Sequence, residues 1–338
     1  MTRHLVTGGC GFLGSTVAAR LLESGAEVCV IDDLSRAGAA SSREWLAARG
    51  TPRLVHADVR NAHDVDRVVR DWRPDVVYHL AGQVAMTTSI ADPRRDFETN
   101  VVGTFNVLDS LRRERPGAIV LYASTNKVYG DLTEVRLVET PTRWTTPDHP
   151  EGFDERLPLD FRTPYGCSKG AAEQYVLEYT RSFGLRGVVF RHSTIYGSRQ
   201  RSTWDQGWVG WFVAEAVRWR QGDHAPVGIS GDGKQVRDLL YVDDAVDAYL
   251  AAIDRIDVAA GQVFNLGGGI ANSLSLRELF TELEARMGVR LTIDAGPWRS
   301  SDQRVFVADA RRAQQTLGWK PKIDRNEGLR RLVEAQGG

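Results

Sequence analysis

An α/β fold is predicted, a doubly wound parallel sheet with a smaller unit interleaved into it. Three features predict it. Short apolar runs alternate with longer amphipathic stretches as far as Arg191. A glycine-rich turn joins the first apolar run to the first amphipathic stretch, and the second run ends in a carboxylate, Asp32. Strands alternating with helices give parallel βαβ units, and right-handed crossovers place helices on both faces of the sheet.

The elements follow in order. His4–Thr7, Glu27–Ile31, Arg53–His56, Asp75–Leu80, Ala118–Ala123 and Arg186–Arg191 are β-branched or apolar enough for buried strands. Phe12–Glu23, Arg94–Arg115 and Pro164–Phe183 carry helical periodicity between them. From Ser193 the rhythm breaks into a tryptophan-rich segment (Trp204, Trp208, Trp211, Trp219) and a turn at Gly231-Asp232-Gly233. Val236–Ala252 reads as a further strand and helix, and Phe264–Gly269, Ser275–Met287 and Arg304–Leu317 close the chain. With no linker-like composition anywhere, the expected division is 1–191 plus 236–256 for the larger unit and 192–235 plus 257–338 for the smaller.

Composition narrows the function. The 338 residues carry 43 basic and 44 acidic side chains, a net charge of −1 that gives no basic excess for nucleic acid. Three cysteines and seven scattered histidines offer neither a disulfide framework nor metal-ligand spacing, so no metal is expected. No apolar run approaches the ~18 residues of a membrane span, and the first residues enter a strand pattern directly. A cytoplasmic protein that does not engage a membrane is expected.

Gly8-Gly9-Cys10-Gly11-Phe12-Leu13-Gly14 lies between a strand and a helix. Glycines at this spacing allow a tight turn and let backbone N–H groups, those of Phe12 and Leu13 included, approach a pyrophosphate at the helix start. The context makes the sheet Rossmann-type and NAD the expected cofactor. Asp32 is placed to hold the adenosine ribose hydroxyls. Asp33 disfavours a 2′-phosphate, while Arg36 two residues beyond Leu34 pulls the other way; Ser35 lies between them. Asp58-Val59 should meet the adenine, although Asp58 serves equally well as a helix N-cap. Leu80-Ala81-Gly82-Gln83 should border the pyrophosphate and nicotinamide ribose, and the His192 backbone the nicotinamide.

Tyr165-Gly166-Cys167-Ser168-Lys169 places a phenol and an ammonium at i and i+4 on one helix face. A nearby ammonium favours the phenolate and lowers its pKa, so Tyr165 becomes a candidate general base. Lys169 is one of only five lysines. Ser124-Thr125 ends the fifth strand at the carboxyl edge, where open α/β sheets bind ligands. A helix surface pair is the plain alternative for Tyr165 and Lys169; the glycine turn and the strand-end hydroxyl argue against it.

Ser124-Thr125-Asn126-Lys127-Val128-Tyr129-Gly130 together with Tyr165 and Lys169 resembles the extended short-chain dehydrogenases that include nucleotide-sugar epimerases and dehydratases. The resemblance selects Thr125 over Ser124 as the catalytic hydroxyl and implies that Tyr165 and Lys169 complete the catalytic set. Segments from Leu80 (LAGQVAMTTSI), Ser124 (STNKVYGDL), Pro164 (PYGCSKGAAEQY), Asp205 (DQGWVGWF), Gly233 (GKQVRD) and Ser301 (SDQRVFVAD) further resemble the CDP-paratose 2-epimerases, also called CDP-tyvelose epimerases. Asp33 stands where Asn is usual there, and Ser193-Thr194 where the wider family often has Phe-Asn.

That resemblance implies a nucleotide-sugar substrate, CDP-linked, inverted at C2 through transient oxidation by tightly held NAD. Related dehydratases carry an acidic pair after the strand-end Thr; here Asn126 and Lys127 stand there. It further implies that Arg237 and Arg304 bind phosphates, against the alternative of salt bridges with Asp238 or Asp302. Asn126, Thr194, Gln206 and Trp208 join Thr125 as substrate-site candidates, although the spacing of Trp204, Trp208 and Trp211 also suits a packed helix stripe. Epimerisation at another carbon such as C4, another nucleotide, and a silent NAD-binding regulator are the competing readings. A homodimer or homotetramer is expected.

Overall fold

A computed structural model describes residues 2–337; Met1 and Gly338, the outer limits of the two expected units, lie outside them. The strands are β1 (Arg3–Thr7), β2 (Glu27–Asp32), β3 (Arg53–His56), β4 (Val76–His79), β5 (Ile119–Thr125), β6 (Val138–Glu139), β7 (Trp144–Thr145), β8 (Arg186–His192), β9 (Thr194–Tyr196), β10 (Val227–Ser230), β11 (Val236–Tyr241), β12 (Val263–Leu266), β13 (Ser273–Ser275), β14 (Ile293–Gly296) and β15 (Val305–Phe306).

Seven strands form one parallel sheet in the order β12-β8-β5-β4-β1-β2-β3. The order reverses between β1 and β4, which opens a crevice at their carboxyl ends. Both faces are covered, as a parallel sheet of Val/Ile/Leu strands requires. Val6, Val30, Tyr78, Leu121 and Phe190 pack beneath the helices Phe12–Glu23 and Val242–Asp254. Leu5, Ile31, Val77, Val120 and Val189 pack beneath Ala62–Trp72, Gly103–Glu114 and Thr163–Phe183. Asn61 caps the helix Ala62–Trp72 by accepting from the His63 and Asp64 amides, so the capping role open to Asp58 belongs to Asn61.

A smaller sheet joins β13, β11 and β15, with β9 pairing β11. It packs with the helices Trp208–Arg220, Leu276–Met287 and Arg325–Ala335 around Phe212, Leu279, Leu283 and Leu329.

Several expectations shift. Val263–Leu266, expected in the smaller unit, is the edge strand of the large sheet, in register with Val189–His192. Val236–Tyr241, expected in the larger unit, lies in the smaller sheet, while the helix after it packs on the large one. The helix expected over Arg94–Arg115 is three pieces: Pro93–Phe97, a π-helical turn Glu98–Val102, and Gly103–Glu114. Arg304–Leu317 divides into β15 and the helix Arg311–Leu317, and Arg325–Ala335 adds a terminal helix.

Candidate functional site

The glycine turn is shaped by what a side chain would strike. Gly8 has φ +64°, and a Cβ there would lie 2.7 Å from the Ala81 backbone. At Gly14 a Cβ would come within 2.2 Å of the Gly8 carbonyl oxygen, and at Gly9 within 2.6 Å of Val30. Gly11 is different: it lines the cleft and caps the helix Phe12–Glu23 with no side chain over the first turn. Glycine is thus needed at 8 and 14 for chain-to-chain approach, and at 11 for approach by a ligand.

Two cavities of about 250 Å³ each adjoin along the crevice and share Gly11, Arg36, Ala39, Val84 and Gln206. The first holds Gly8, Asp32, Asp33, Ser35, Asp58 and Val59, with Ala81 and Gln83 on its far wall. The second holds Phe12, Leu13, Thr125, Tyr165, Lys169 and His192. Most of the cofactor-site candidates therefore converge on one elongated cleft. Leu80 faces inward instead; its amide donates to the carbonyl and the hydroxyl of Thr7.

Asp32 is fixed by two amides: Cys10 N donates to Oδ2 at 2.8 Å and Leu34 N to Oδ1 at 2.9 Å. Burial raises its pKa, with these amides working against the rise. Each carboxylate oxygen keeps a lone pair for a ligand hydroxyl. Asp33 is engaged by Ser35, whose amide and hydroxyl both donate to it. Burial works against ionised Asp58, yet hydrogen bonds from Arg60 hold its pKa below the ordinary value. The glycine cradle, the free helix start and the ribose-facing carboxylate fit a dinucleotide.

At the other end, β5 and the helix Thr163–Phe183 bring Thr125, Tyr165 and Lys169 together, all buried. Burial pushes the Tyr165 phenol up to about 12, opposed by a hydrogen bond from Thr125 and by the Arg36 charge. Burial pushes the Lys169 ammonium down to about 8, opposed by Asp96 and Glu173. The expected lowering of Tyr165 by Lys169 is corrected: Lys169 Nζ donates to the Ala123 carbonyl at 2.8 Å, and the cation acting on Tyr165 is Arg36. His192 is held by Tyr249 OH at 3.1 Å, and burial followed by Lys169 lowers it to about 3, which leaves it a neutral wall.

Four supporting residues escaped the sequence reading. Asn100, in the π-helical turn, accepts from Gln83 N and donates to the Gln83 carbonyl and Ser168 Oγ. It thereby ties the loop after β4 to the helix bearing Tyr165 and Lys169; π-turns often sit where a helix must aim one residue at a site. Buried His79 bridges Thr7 Oγ1 at 2.7 Å and Thr104 Oγ1 at 2.9 Å. Thr104 already donates to the Asn100 carbonyl, so His79 Nε2 carries the proton and Nδ1 accepts from Thr7. Behind Thr125, Glu173 accepts from Arg191 Nη2 at 2.6 Å and from Ser124 Oγ at 2.7 Å. A polar residue inside a helix or strand pattern gave no sign of these long-range partners.

The substrate-site candidates scatter more. Gln206 lines both cavities. Asn126 donates to Gln303 Oε1 at 2.8 Å, and Trp208 donates to Thr194 Oγ1 at 3.2 Å while packing against the smaller unit's core. Arg237 is committed to Asp302 at 2.7 Å and to the Gln303 carbonyl at 2.6 Å, the salt-bridge alternative. Lys127 shares Asp302 at 3.6 Å, and burial pushes it down to about 8. Arg304 is exposed between two indoles, 4.8 Å from the Trp144 ring and 4.7 Å from Trp298. Asn126, Thr194, Trp208, Arg237 and Arg304 stand outside both cavities. Among the described residues no group of three or more His, Cys, Asp or Glu could hold a metal ion.

Residues 4–267 match the model of the NAD dependent epimerase/dehydratase family. Over 330 residues, 98% of each chain, the sequence is 49% identical to CDP-paratose 2-epimerase of Salmonella typhi. A UDP-glucose 4-epimerase of Thermotoga maritima, solved with UDP-glucose, superposes with a TM-score of 0.83 at 31% identity, over 99% of this chain and 98% of that one. A UDP-glucose 4-epimerase of Thermus thermophilus, solved with NAD, gives 0.83 at 30% identity over 100% and 99%. A parallel sheet with a glycine turn at its switch point, a matching family model and near-full-length relatives agree: the chain belongs to the NAD dependent epimerase/dehydratase family.

Proposed function

We propose that this chain is an NAD-dependent nucleotide-sugar epimerase that inverts C2 of a CDP-hexose of the CDP-paratose/CDP-tyvelose type through a transient keto sugar. One observation carries the choice of chemistry: among the described residues no carboxylate lines the reactive half of the cleft, which offers a hydroxyl, a phenol and an ammonium. Elimination of water needs an acid and a base on neighbouring atoms. Here the residues after Thr125 are bound elsewhere, Asn126 to Gln303 and Lys127 to Asp302. The 49% identity to a CDP-paratose 2-epimerase supports C2 and the cytidine nucleotide; the 4-epimerase relatives keep C4 as the second reading.

NAD, when bound, supplies a reversible acceptor for the hydrogen and electron pair of a carbinol carbon. Gly8, Gly11, Gly14 and the Phe12 and Leu13 amides hold its pyrophosphate, and Asp32 its ribose. Asp33, Ser35, Arg36, Asp58, Val59, Ala81, Gln83 and His192 complete its walls in this proposal, with Leu80 behind them in the core. Tyr165 as phenolate takes the proton of the sugar hydroxyl, Thr125 donates to the same oxygen, and Lys169 holds positive charge behind them. The flat keto carbon then turns its other face, and Tyr165 returns the proton. Gln206 already lines the cleft; Thr194, Trp208, Arg237 and Arg304 are proposed to join it around the sugar and diphosphate, for which Arg237 must release Asp302 and Arg304 its two indoles. An assembly of two or four copies belongs to the proposal; Phe97, Phe105, Tyr175 and Phe183 stand exposed on neighbouring helices. No helix among the described residues is long and apolar enough to cross a membrane.

The test is incubation with CDP-paratose and CDP-tyvelose in deuterated water, read by NMR. Interconversion at C2 with the original hydrogen retained is expected. Stoichiometric solvent deuterium at C2 would refute the redox route, and inversion at C4 with hydrogen retained would move the function to the second reading. Asp32→Ala should weaken NAD by about 10–150-fold in Kd, since a hydrogen bond to a charged group contributes about 1.5–3 kcal/mol. Equilibrium dialysis checks this; unchanged affinity would remove Asp32 from the ribose.

A further inference from the structure

A third cavity, of about 610 Å³, lies outside the cofactor cleft. Its walls come from the segment Ser198–Ser202, the start of the helix Ala39–Ala47, the helix Trp208–Arg220 and the chain's last residues. Arg199, Gln200, Arg201 and Ser42 line both this cavity and the reactive half of the cleft, so the two stand back to back across one thin segment. Among the described residues no aspartate or glutamate lines it.

Its polar groups are unusually incomplete. Arg199 Nε, Gln200 Oε1, Ser202 Oγ, Arg218 Nε and Gln336 Oε1 are buried without a hydrogen-bond partner, and all five residues line this one cavity. Buried polar atoms are normally satisfied, so five orphans in one cavity wall mark side chains that gain partners by turning toward a polar occupant. Gly210 lets the helix Trp208–Arg220 pack close against Ser202, since a Cβ there would lie 2.2 Å from Ser202 Oγ.

The charge has one sign. Arg49 and Arg199 stack on opposite flanks of the Trp45 neighbourhood, with guanidinium carbons 3.9 and 3.5 Å from its ring centroid. Among the described residues Arg199 and Arg201 make no salt bridge, while Arg218, also in the wall, is paired with Glu215 and Asp223. Arg199 has its pKa lowered by burial and then by the charges of Arg49 and Arg201. The guanidinium groups of Arg199 and Arg201 share a wall with the hydroxyls of Ser42, Ser198 and Ser202 and repel one another until an anion enters.

We propose that this cavity binds a phosphate-bearing small molecule at a site separate from the cofactor cleft. Guanidinium forks and hydroxyls suit the many oxygens of a phosphate or diphosphate better than a single carboxylate. The volume falls within the range of small-molecule pockets and exceeds what a lone ion fills.

Inorganic pyrophosphate is the probe, titrated into the NAD-loaded enzyme in a calorimeter at low and at moderate salt. The expected isotherm contains a salt-sensitive component that disappears in Ala214→Trp, which fills the mouth, and weakens at least twofold in Arg218→Gln, which removes a lining cation shared with Glu215 and Asp223. Both positions lie outside the cofactor cleft, so nucleotide-sugar turnover should stay near wild type and report that each variant is folded. Should one variant fail to fold, Ser202→Ala supplies the same comparison. An isotherm identical in the wild type and the folded variants overturns the site. So does loss of oligomer mass in Ala214→Trp with no pyrophosphate component in the wild type, which would make the cavity a contact between copies.

Discussion

Replacing Tyr165 with phenylalanine should lower turnover by about 10²–10⁴-fold, the contribution of a positioned general acid–base, and leave NAD bound. The phenol oxygen is the only atom removed, and the glycine turn and Asp32 lie at the other end of the cleft. Purified Tyr165→Phe should still release NAD on denaturation; near-wild-type turnover would reduce Tyr165 and Lys169 to a helix pair. The pH profile carries the same point. Tyr165 works as phenolate, and burial holds the phenol up at about 12 in the chain alone, so turnover should rise with pH along the acid limb. Arg36→Met removes the cation that opposes the rise at Tyr165 and should move that limb to higher pH. A limb that stays in place would assign the titration to another group.

Glu173→Ala should cost about 3–5 kcal/mol of stability, the usual penalty for leaving one member of a buried ion pair alone. Glu173 is 0% and Arg191 4% exposed. The pair is joined at 2.6 Å, and Glu173 also takes Ser124 Oγ while Arg191 donates to Tyr129 OH at 2.9 Å. Tyr129 in turn donates to Asn265 Oδ1 at 2.7 Å. The substitution thus strands a guanidinium and frees a hydroxyl beside Thr125. Denaturant unfolding of the full chain measures the loss; a change below about 1 kcal/mol would mean that Arg191 reaches water or another acceptor.

What was legible in the sequence is local. The glycine turn, Asp32 and the Tyr165/Lys169 pair are short-range patterns whose geometry follows from spacing alone, and six strands of the large sheet could be read from their apolar runs. The seventh, Val263–Leu266, was noticed as an element but assigned to the wrong sheet, because partner choice depends on chain far away in sequence. The π-helical turn at Asn100 leaves apolar periodicity nearly unchanged, so the stretch read as one helix. Arg237 resembled a phosphate ligand; its commitment to Asp302, 65 residues later, is invisible to spacing. Glu173 and Arg191 read as ordinary polar positions, because only folding reveals that they bury each other.

The late edge strand has a consequence for synthesis. A ribosome releases β1, β2, β3, β4, β5 and β8 well before Val263–Leu266, so the growing sheet carries an open edge along Arg186–His192 while about 70 further residues are made. Unpaired edges invite strands from other chains. Arg191 sits on that edge strand and, with Glu173 already translated, can close its ion pair before β12 arrives. A nascent chain halted before residue 263 should therefore be the more aggregation-prone species, since the seven-residue strand Arg186–His192 stays unpaired on one side until the shorter edge strand Val263–Leu266 docks.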